Sequence, residues 1–578
     1  MAVGNNQAIR IALCQHNFLV GDINGNLSKI RSKLTELRAV GVDLAVFPEL
    51  ALTGYPPEDL LLKPHFIENV SCALQKLASD VKDIIVVVGF PELSGALYNS
   101  AAILANGKLV SVYRKHCLPN YAVFDEQRYF ESGDKALVLD LGDAKVGITI
   151  CEDIWSQDGP AQWATTDGGA EMILNLSASP YHRSKGISRE RMFVTRCIKY
   201  GCYLVFCNTV GGQDELVFDG HSLVIDPKGN ILARGKQFEE DLVIVDINPR
   251  IATSARQHGK RSQQQVMNTT DRVRTVTIQR HVKTRPAIEQ QQLRQPLDEE
   301  AEIYQALQLG TKDYFHKNGF RHAVLGLSGG IDSALSLAIA VDALGAISLS
   351  AVMMPSRYTA SHNQDDAREL ASRLNVEFLE IPIDTLFTSY LKALDQQFKG
   401  TRLNVAEENL QARIRGNLLM ALSNKFNWLV ITTGNKSEMS VGYATLYGDM
   451  AGGFSILKDV PKTLVYRLVN WRNRECEIIP KRMIDKPPSA ELREGQLDTD
   501  NLPPYSDLDQ IIQAYVEEDC RIDEIAKLGF EQDLIYRVMN MVDRAEYKRR
   551  QAAPGVRIST RAFGKDRRLP ITNHYRPV

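Results

Sequence analysis

Between Ile9 and Asn248 the chain alternates short apolar runs with amphipathic or loop segments. The runs read "IRIALCQ", "VDLAVFP", "IIVVVGF", "KVGITIC", "EMILNLS", "CYLVFCN" and "LVIVDI". Apolar stretches this short predict strands buried in a layered α/β domain. Residues 251–300 differ: they are rich in Gln, Arg and Thr, poor in clustered apolar side chains, and contain "SQQQ" and "EQQQLRQ". That texture predicts a linker or a wrapping arm. A second alternation starts near Ala301, where "EIYQALQLGTKDYF" places apolar residues at helical spacing. It is followed by the strand "HAVLGLS", a glycine loop, a helix from Asp332, and strands in "ISLSAVMMP", "VEFLEIPI" and "WLVITTG". Strands separated by helical patterns predict a parallel sheet of the nucleotide-binding kind. The expected organisation is a domain over 1–250, an arm over 251–300 and a second domain over 301–578, with no internal repeat.

Composition narrows the classes. A chain of 578 residues exceeds one ordinary core, and 44% hydrophobic with 24% charged residues is the composition of a globular protein. A formal net charge of -2 offers no electrostatic case for nucleic acid as a partner. The N-terminal residues run directly into a strand pattern without a signal sequence, and no apolar run is long enough to span a membrane, so a cytoplasmic protein is expected. Nine cysteines in a chain this long do not form a disulfide framework. Cys197, Cys202 and Cys207 lack any Cys-x-x-Cys pairing and are expected as small buried hydrophobes.

The chemistry concentrates in a few stretches. In "LGLSGGIDSAL", Gly326, Leu327, Ser328, Gly329, Gly330, Ile331, Asp332 and Ser333 follow a strand and open a helix. Two glycines let backbone N–H groups curl round an anion at the helix N-terminus, yet the lysine of a Walker loop is missing. Asp332 is an oxygen donor suited to Mg2+. That combination fits a departing pyrophosphate with its metal, hence an adenylate product; a Gly-Gly pair alone is also a plain tight turn. In the first half, "VFPELALTGYPPEDL", "VYRKHCLPNYAVFDEQRYF" and "KVGITICEDIW" supply Glu49, Lys115 and Cys151. A cysteine just past a strand, a carboxylate base and a lysine for the oxyanion form a set suited to acyl transfer. Taken singly, these residues also read as a buried cysteine, a strand-end charge and a salt bridge. Cys117 is the rival nucleophile, without the strand-then-turn setting.

The glycine loop resembles the "SGG-x-DS" signature of the ATP pyrophosphatases, and the three first-half motifs resemble those of the nitrilase family. The segment "TTGNKSEMSVGYATLYGDMAGGFSILKDVPKTLVYRL" is similar to NAD synthetases. That resemblance implies Thr433 for ATP, Glu438 for Mg2+ and the dinucleotide, and further contacts from Asp449 and Lys462. By the same resemblance, "EENLQARIRGNLLMALSN" implies Asn409 for deamido-NAD, supported by Arg413 and Arg415, and the C-terminal segment implies Lys548. The proline-marked stretch "KPPSAELREGQLDTDNLPPYSDLD", with Pro487, Pro488, Pro503 and Pro504, resembles a mobile loop. The nitrilase resemblance implies Tyr121, Ser179, Lys185, Tyr55 and Glu152 for glutamine.

Joined in one chain, the two signatures resemble the glutamine-dependent NAD synthetase family. This implies a nitrilase-like αββα sandwich followed by a Rossmann-like parallel sheet of the adenine nucleotide α-hydrolase kind. It further implies deamido-NAD, ATP and glutamine as substrates, Mg2+ as cofactor, no nucleic acid or membrane partner, and a homo-oligomer. Two other readings remain open from sequence: an amidating ligase for a different carboxylate, and an amidase carrying a nucleotide-sensing module.

Overall fold

The computed structural model describes residues 8–258, 271–280, 285, 288 and 293–575. The chain divides into two compact units that part between Leu297 and Asp298, with Asp214–Leu216 at the tip of a hairpin counted with the second.

In the first unit the apolar runs become strands. β1 (Ile9–Gln15), β2 (Leu44–Val46), β3 (Ile85–Ser94), β4 (Ala96–Ala105) and β5 (Lys108–Arg114) belong to one sheet. β6 (Ala136–Asp140), β7 (Lys145–Ile150), β8 (Met172–Ser177) and β9 (Tyr203–Asn208) belong to another. The hairpin strands β10 (Val210–Gln213) and β11 (Leu216–Asp219) are followed by β12 (Leu223–Ile225), β13 (Ile231–Arg234), β14 (Asp241–Ile247) and β15 (Val273–Thr277). The six-stranded sheet runs β14-β1-β2-β3-β4-β5 and the seven-stranded sheet β13-β12-β9-β8-β7-β6-β15.

Alternation along the strands explains the layers. Ile9, Ile11 and Leu13 of β1 meet Met172, Leu174 and Leu176 of β8 in one core between the sheets. Ala12 and Cys14 point the other way, toward the helices Ile23–Ala39 and Pro64–Asp80. On the far sheet Ile173, Leu204 and Phe206 pack with the helices Pro160–Thr166 and Lys185–Tyr200. Both faces of each sheet are therefore covered, which is why these strands read as mostly apolar runs rather than as an alternation of apolar and polar residues. The result is an αββα sandwich. β4 and β5 escaped the sequence pattern because polar residues interrupt them, Tyr98, Asn99 and Ser100 in β4 and Ser111 in β5; β6, Ala136–Asp140, is a further apolar run that the pattern did not single out.

The stretch expected as an arm continues the helix Arg250–His258 and then adds β15 to the sheet edge, parallel to β6. Its arginines pin it down: Arg280 Nη1 lies 3.1 Å and Arg285 Nη1 2.5 Å from Asp43 Oδ2. "SQQQ" and "EQQQ" lie outside the described residues.

In the second unit, β16 (Ala323–Gly326), β17 (Leu349–Met353), β18 (Glu377–Glu380), β19 (Leu429–Thr432) and β20 (Phe454–Ser455) form a wholly parallel sheet, order β18-β17-β16-β19-β20. The glycine loop leaves the C-terminal end of central β16, beside the strand-order reversal where open α/β sheets bind ligands. The helix it opens, Ile331–Leu344, buries Ala334, Leu335, Leu337, Ala338 and Ile339. Among the described residues no helix is long and apolar enough to cross a membrane.

Candidate active sites

The first site is assembled by strand ends. Glu49 follows β2, Lys115 follows β5 directly and Cys151 follows β7 directly. All three are buried, with Lys115 fully shielded from solvent. Lys115 Nζ donates to Glu49 Oε1 at 2.7 Å and to Glu126 Oε1 at 2.8 Å. Glu49 is further fixed by Asn99 Nδ2 at 2.8 Å and by the Ala178 N–H at 2.9 Å. Cys151 opens a single 3-10 turn with φ of 41°, a left-handed conformation for a residue with a Cβ, which turns its side chain sharply off the strand.

Burial decides the electrostatics. It pushes the Cys151 thiol well above its ordinary range, reinforced by the charge of Glu49 and opposed by Lys115, so the resting group is the thiol. Burial opposes the Lys115 charge, but Glu126 and Glu49 outweigh it and its pKa rises. Burial lifts Glu126 to about 7 against the pull of Lys115. Cys117, the rival thiol, is raised to about 12, chiefly by burial.

The residues expected around glutamine divide. Tyr121 is exposed and its hydroxyl lies 3.1 Å from both carboxylate oxygens of Glu152. Burial raises Glu152, with Tyr121, Lys115 and Lys185 pulling it back. Lys185 starts the helix Lys185–Tyr200 and donates to the Pro180 carbonyl at 2.7 Å. Ser179 is buried, its N–H on Asn208 Oδ1 at 2.9 Å. Tyr55 belongs to the cluster itself, donating to Glu126 Oε1 at 3.0 Å. Glu126 is the residue sequence reasoning missed, although it stands inside the quoted lysine motif, eleven positions after Lys115.

The second site is a cavity of about 580 Å³. Gly326, Leu327, Ser328, Gly330, Ile331, Asp332, Ser333 and Thr433 line it together with Asn409, Glu438, Asp449, Lys462 and Lys548. Gly329 sits behind the loop with φ of +83°, where an added Cβ would meet the Asn363 carbonyl oxygen at 2.7 Å. Ser328 and Ser333 hydroxyls lie 3.2 Å apart, and Ser333 Oγ donates to the Gly330 carbonyl at 2.9 Å. Asp332 accepts from Asn435 Nδ2 at 3.1 Å and pairs with Lys462, whose Nζ is 3.9 Å from Glu438 Oε1. Burial and the neighbouring Asp332 charge lift Glu438 to about 8, with Lys462 pulling down. Asn409 Oδ1 accepts from Thr445 Oγ1 at 2.7 Å, and Asp449 Oδ1 from the Thr445 N–H at 2.6 Å. Lys548 donates to the Gly442 and Ala444 carbonyls at 2.7 Å each, and burial lowers its pKa. Arg415 lines the cavity, donates to the Met354 carbonyl at 2.9 Å and is brought down to about 10 by burial. Arg413 instead donates to the Leu446 carbonyl at 3.2 Å and is absent from the lining.

The proline-marked stretch also lines this cavity, and it brings the charges of Lys486, Glu491 and Asp498. Lys486 Nζ bonds Asn363 Oδ1 at 2.6 Å and Glu491 Oε1 at 3.0 Å. Asp498 accepts from Tyr505 OH at 2.8 Å, while its other carboxylate oxygen is buried with no hydrogen-bond partner among the described residues. Sequence reasoning saw the prolines of this stretch and not these charges.

A buried Cys-Glu-Lys centre on an αββα sandwich, and a glycine loop lining a cavity at the switch point of a parallel sheet, define a two-domain enzyme of the amide-transferring ligase class. Residues 10–257 match the carbon-nitrogen hydrolase family and residues 303–552 the NAD synthase family. The chain is 47% identical to the glutamine-dependent NAD(+) synthetase of Thermotoga maritima, over 98% of this chain and 99% of that one. It is 44% identical to the enzyme of the same name from Acinetobacter baylyi, over 99% of each. A solved glutamine-dependent NAD+ synthetase from Acinetobacter baumannii, in complex with ADP, aligns over 98% of each chain with TM-score 0.73 and 41% identity. The chain belongs to the glutamine-dependent NAD(+) synthetase family.

Proposed function

We propose that this chain converts deamido-NAD, ATP, glutamine and water into NAD, AMP, pyrophosphate and glutamate, with Cys151, Glu49 and Lys115 releasing the nitrogen and the cavity beside β16 activating its acceptor. The observation that carries the reading is the coexistence in one chain of the buried Lys115–Glu49 pair near Cys151 and of the 326–333 loop lining a cavity with Asn409, Thr433, Glu438 and Lys548.

In the first site Glu49 takes the Cys151 proton as sulfur attacks the glutamine amide carbon, then passes it to departing ammonia. Glu49 next activates water against the thioester, freeing glutamate. Lys115 carries three N–H donors, of which Glu49 and Glu126 take two, so one remains for the developing oxyanion. Glu152, with Tyr121 at the site's exposed edge, is the carboxylate for the substrate's α-ammonium group, and Ser179 and Lys185 complete that pocket.

In the second site the nicotinate carboxylate of deamido-NAD attacks the α-phosphorus of ATP, releasing pyrophosphate. Ammonia then adds to the acyl carbon and AMP leaves. The 326–333 loop and Thr433 hold ATP; Asn409, Glu438 and Lys548 hold deamido-NAD. Asp332 and Glu438 fit Mg2+, which binds through one or two carboxylates plus substrate phosphates, and their convergence on the Lys462 ammonium supports a site built for positive charge. Bound there, Mg2+ supplies charge neutralisation for the leaving pyrophosphate.

The family reading carries a cytoplasmic homo-oligomer as well. Exposed Leu386, Tyr390, Leu403 and Val405 support an interface on the second unit, measurable as solution mass. The decisive experiment for the reaction supplies amide-15N glutamine with deamido-NAD and ATP. The expected products are 15N-labelled NAD and one AMP per NAD; ADP as the nucleotide product, or unlabelled NAD, refutes the reading.

A further inference from the structure

Asp153 lies two residues beyond Cys151, in the same 3-10 turn, and is completely shielded from solvent. Its carboxylate accepts four hydrogen bonds, about the full capacity of the group. Oδ2 takes the Tyr113 hydroxyl at 2.6 Å and the Ile150 N–H at 2.9 Å. Oδ1 takes the His116 N–H at 3.1 Å and the Cys117 N–H at 2.8 Å. Three of these donors belong to the segment 113–117, which carries Lys115; the fourth belongs to the residue before Cys151.

We propose that Asp153 is the positioning residue of the glutaminase centre, its carboxylate joining the turn that carries Cys151 to the segment that carries Lys115 and so fixing nucleophile and oxyanion donor relative to one another. The proposal rests on the reading of Cys151, Glu49 and Lys115 given above. Cys151 is held at a positive φ that a residue with a Cβ adopts only when its surroundings impose it. The Ile150 N–H bond fixes the entry to that turn, and Asp153 is its acceptor. Lys115 continues directly from β5, and the amides of the next two residues end on the same carboxylate. Burial raises the Asp153 pKa while its hydrogen bonds from Tyr113, Cys117 and Ile150 hold it down. An asparagine has one acceptor oxygen and an NH2 group, so it can serve one of the two pairs of donors and must face the other with N–H groups.

The test compares wild type, Asp153→Asn, Tyr113→Phe and Cys151→Ala in glutamate release and in NAD synthesis from glutamine and from ammonium chloride. In Asp153→Asn, kcat for glutamine falls about 100-fold, the loss typical of reacting groups displaced by about 1 Å, with little change in KM. Synthesis from ammonium is unchanged, since that chemistry belongs to the other unit. Tyr113→Phe, which removes one donor of four, lowers the same kcat by a smaller factor. Wild-type kcat in Asp153→Asn overturns the proposal, as does a parallel loss of both nitrogen sources. If Asp153→Asn does not fold, Tyr113→Phe decides, and an unchanged kcat there overturns it. Glutamine use that survives Cys151→Ala sinks the underlying reading instead; with Cys151→Ala inactive and Asp153→Asn normal, only the positioning role fails.

Discussion

Lys115 and Glu49 form an ion pair at 2.7 Å from which solvent is wholly excluded. A pair this deep has given up its hydration, so its partners are worth most to each other. Lys115→Met strands Glu49 and Glu126 in a dry site with no cation. We expect a stability loss of roughly 3–5 kcal/mol, the range for breaking a buried pair. Glutamate release should fall by roughly a thousandfold as the oxyanion donor goes. Urea unfolding and a glutaminase assay measure both; wild-type glutamate release removes Lys115 from the mechanism.

Glu126 gives a pH signature with a definite sign. Burial lifts its folded-state pKa to about 7, above the ordinary 4.5 of an unfolded chain. Below 4.5 both states carry the proton and the group does not bias folding. Between these values the folded protein keeps a proton the unfolded chain has lost, so stability declines as pH rises, and the decline ends above about 7. Glu126→Gln lacks that decline. Relative to wild type, the variant should therefore gain on the order of 1–3 kcal/mol between pH 5 and pH 8. Parallel urea midpoints across that range check it, and an unchanged difference refutes the buried, protonatable Glu126.

How much of this was legible depended on how local each signal was. β1, β8 and β9 were readable because both their faces are buried, leaving runs that are mostly apolar, with Arg10 and Asn175 as isolated exceptions inside them. The 326–333 loop was readable because its glycines, serines and aspartate are contiguous and sit between a strand and a helix. Glu126, Asp153 and Asp498 were not, because their meaning lies in partners brought near by folding. Asp153 meets residues 36 to 40 positions earlier, and Lys462 meets Asp332 across 130 positions. No periodicity encodes such pairings, whereas the segments that carry them were already visible as motifs.

Gly329 tests the phosphate loop through the backbone. Its φ of +83° is a region that costs an L-residue about 1–2 kcal/mol, and a Cβ there would meet both the carbonyl oxygen and the Cβ of Asn363 under 3 Å. Gly329→Ala must therefore displace the loop or the helix Ser361–Arg373 that holds Asn363. AMP formation should fall at least about tenfold with a raised KM for ATP, while glutamate release persists in the other unit. Normal ATP kinetics in this variant would mean the loop does not cradle phosphate.

Asp332 carries the last prediction, because two explanations of it diverge on substitution. As a structural group it holds Lys462 and Asn435; as a metal ligand it also supplies negative charge beside Glu438. In Asp332→Asn the shape and the Asn435 contact can persist, but the like charge that helps lift Glu438 to about 8 disappears. Glu438 should then ionise at lower pH and pair with the Lys462 ammonium 3.9 Å away, leaving one carboxylate already committed. NAD synthesis from either glutamine or ammonium should drop at least about a hundredfold, and the Mg2+ concentration giving half-maximal rate should rise at least about tenfold, since Mg2+ relies on so few carboxylates. A merely structural Asp332 predicts the opposite pattern: lower thermal stability with an unchanged Mg2+ requirement. Titrating Mg2+ against both proteins, alongside their melting temperatures, separates the two.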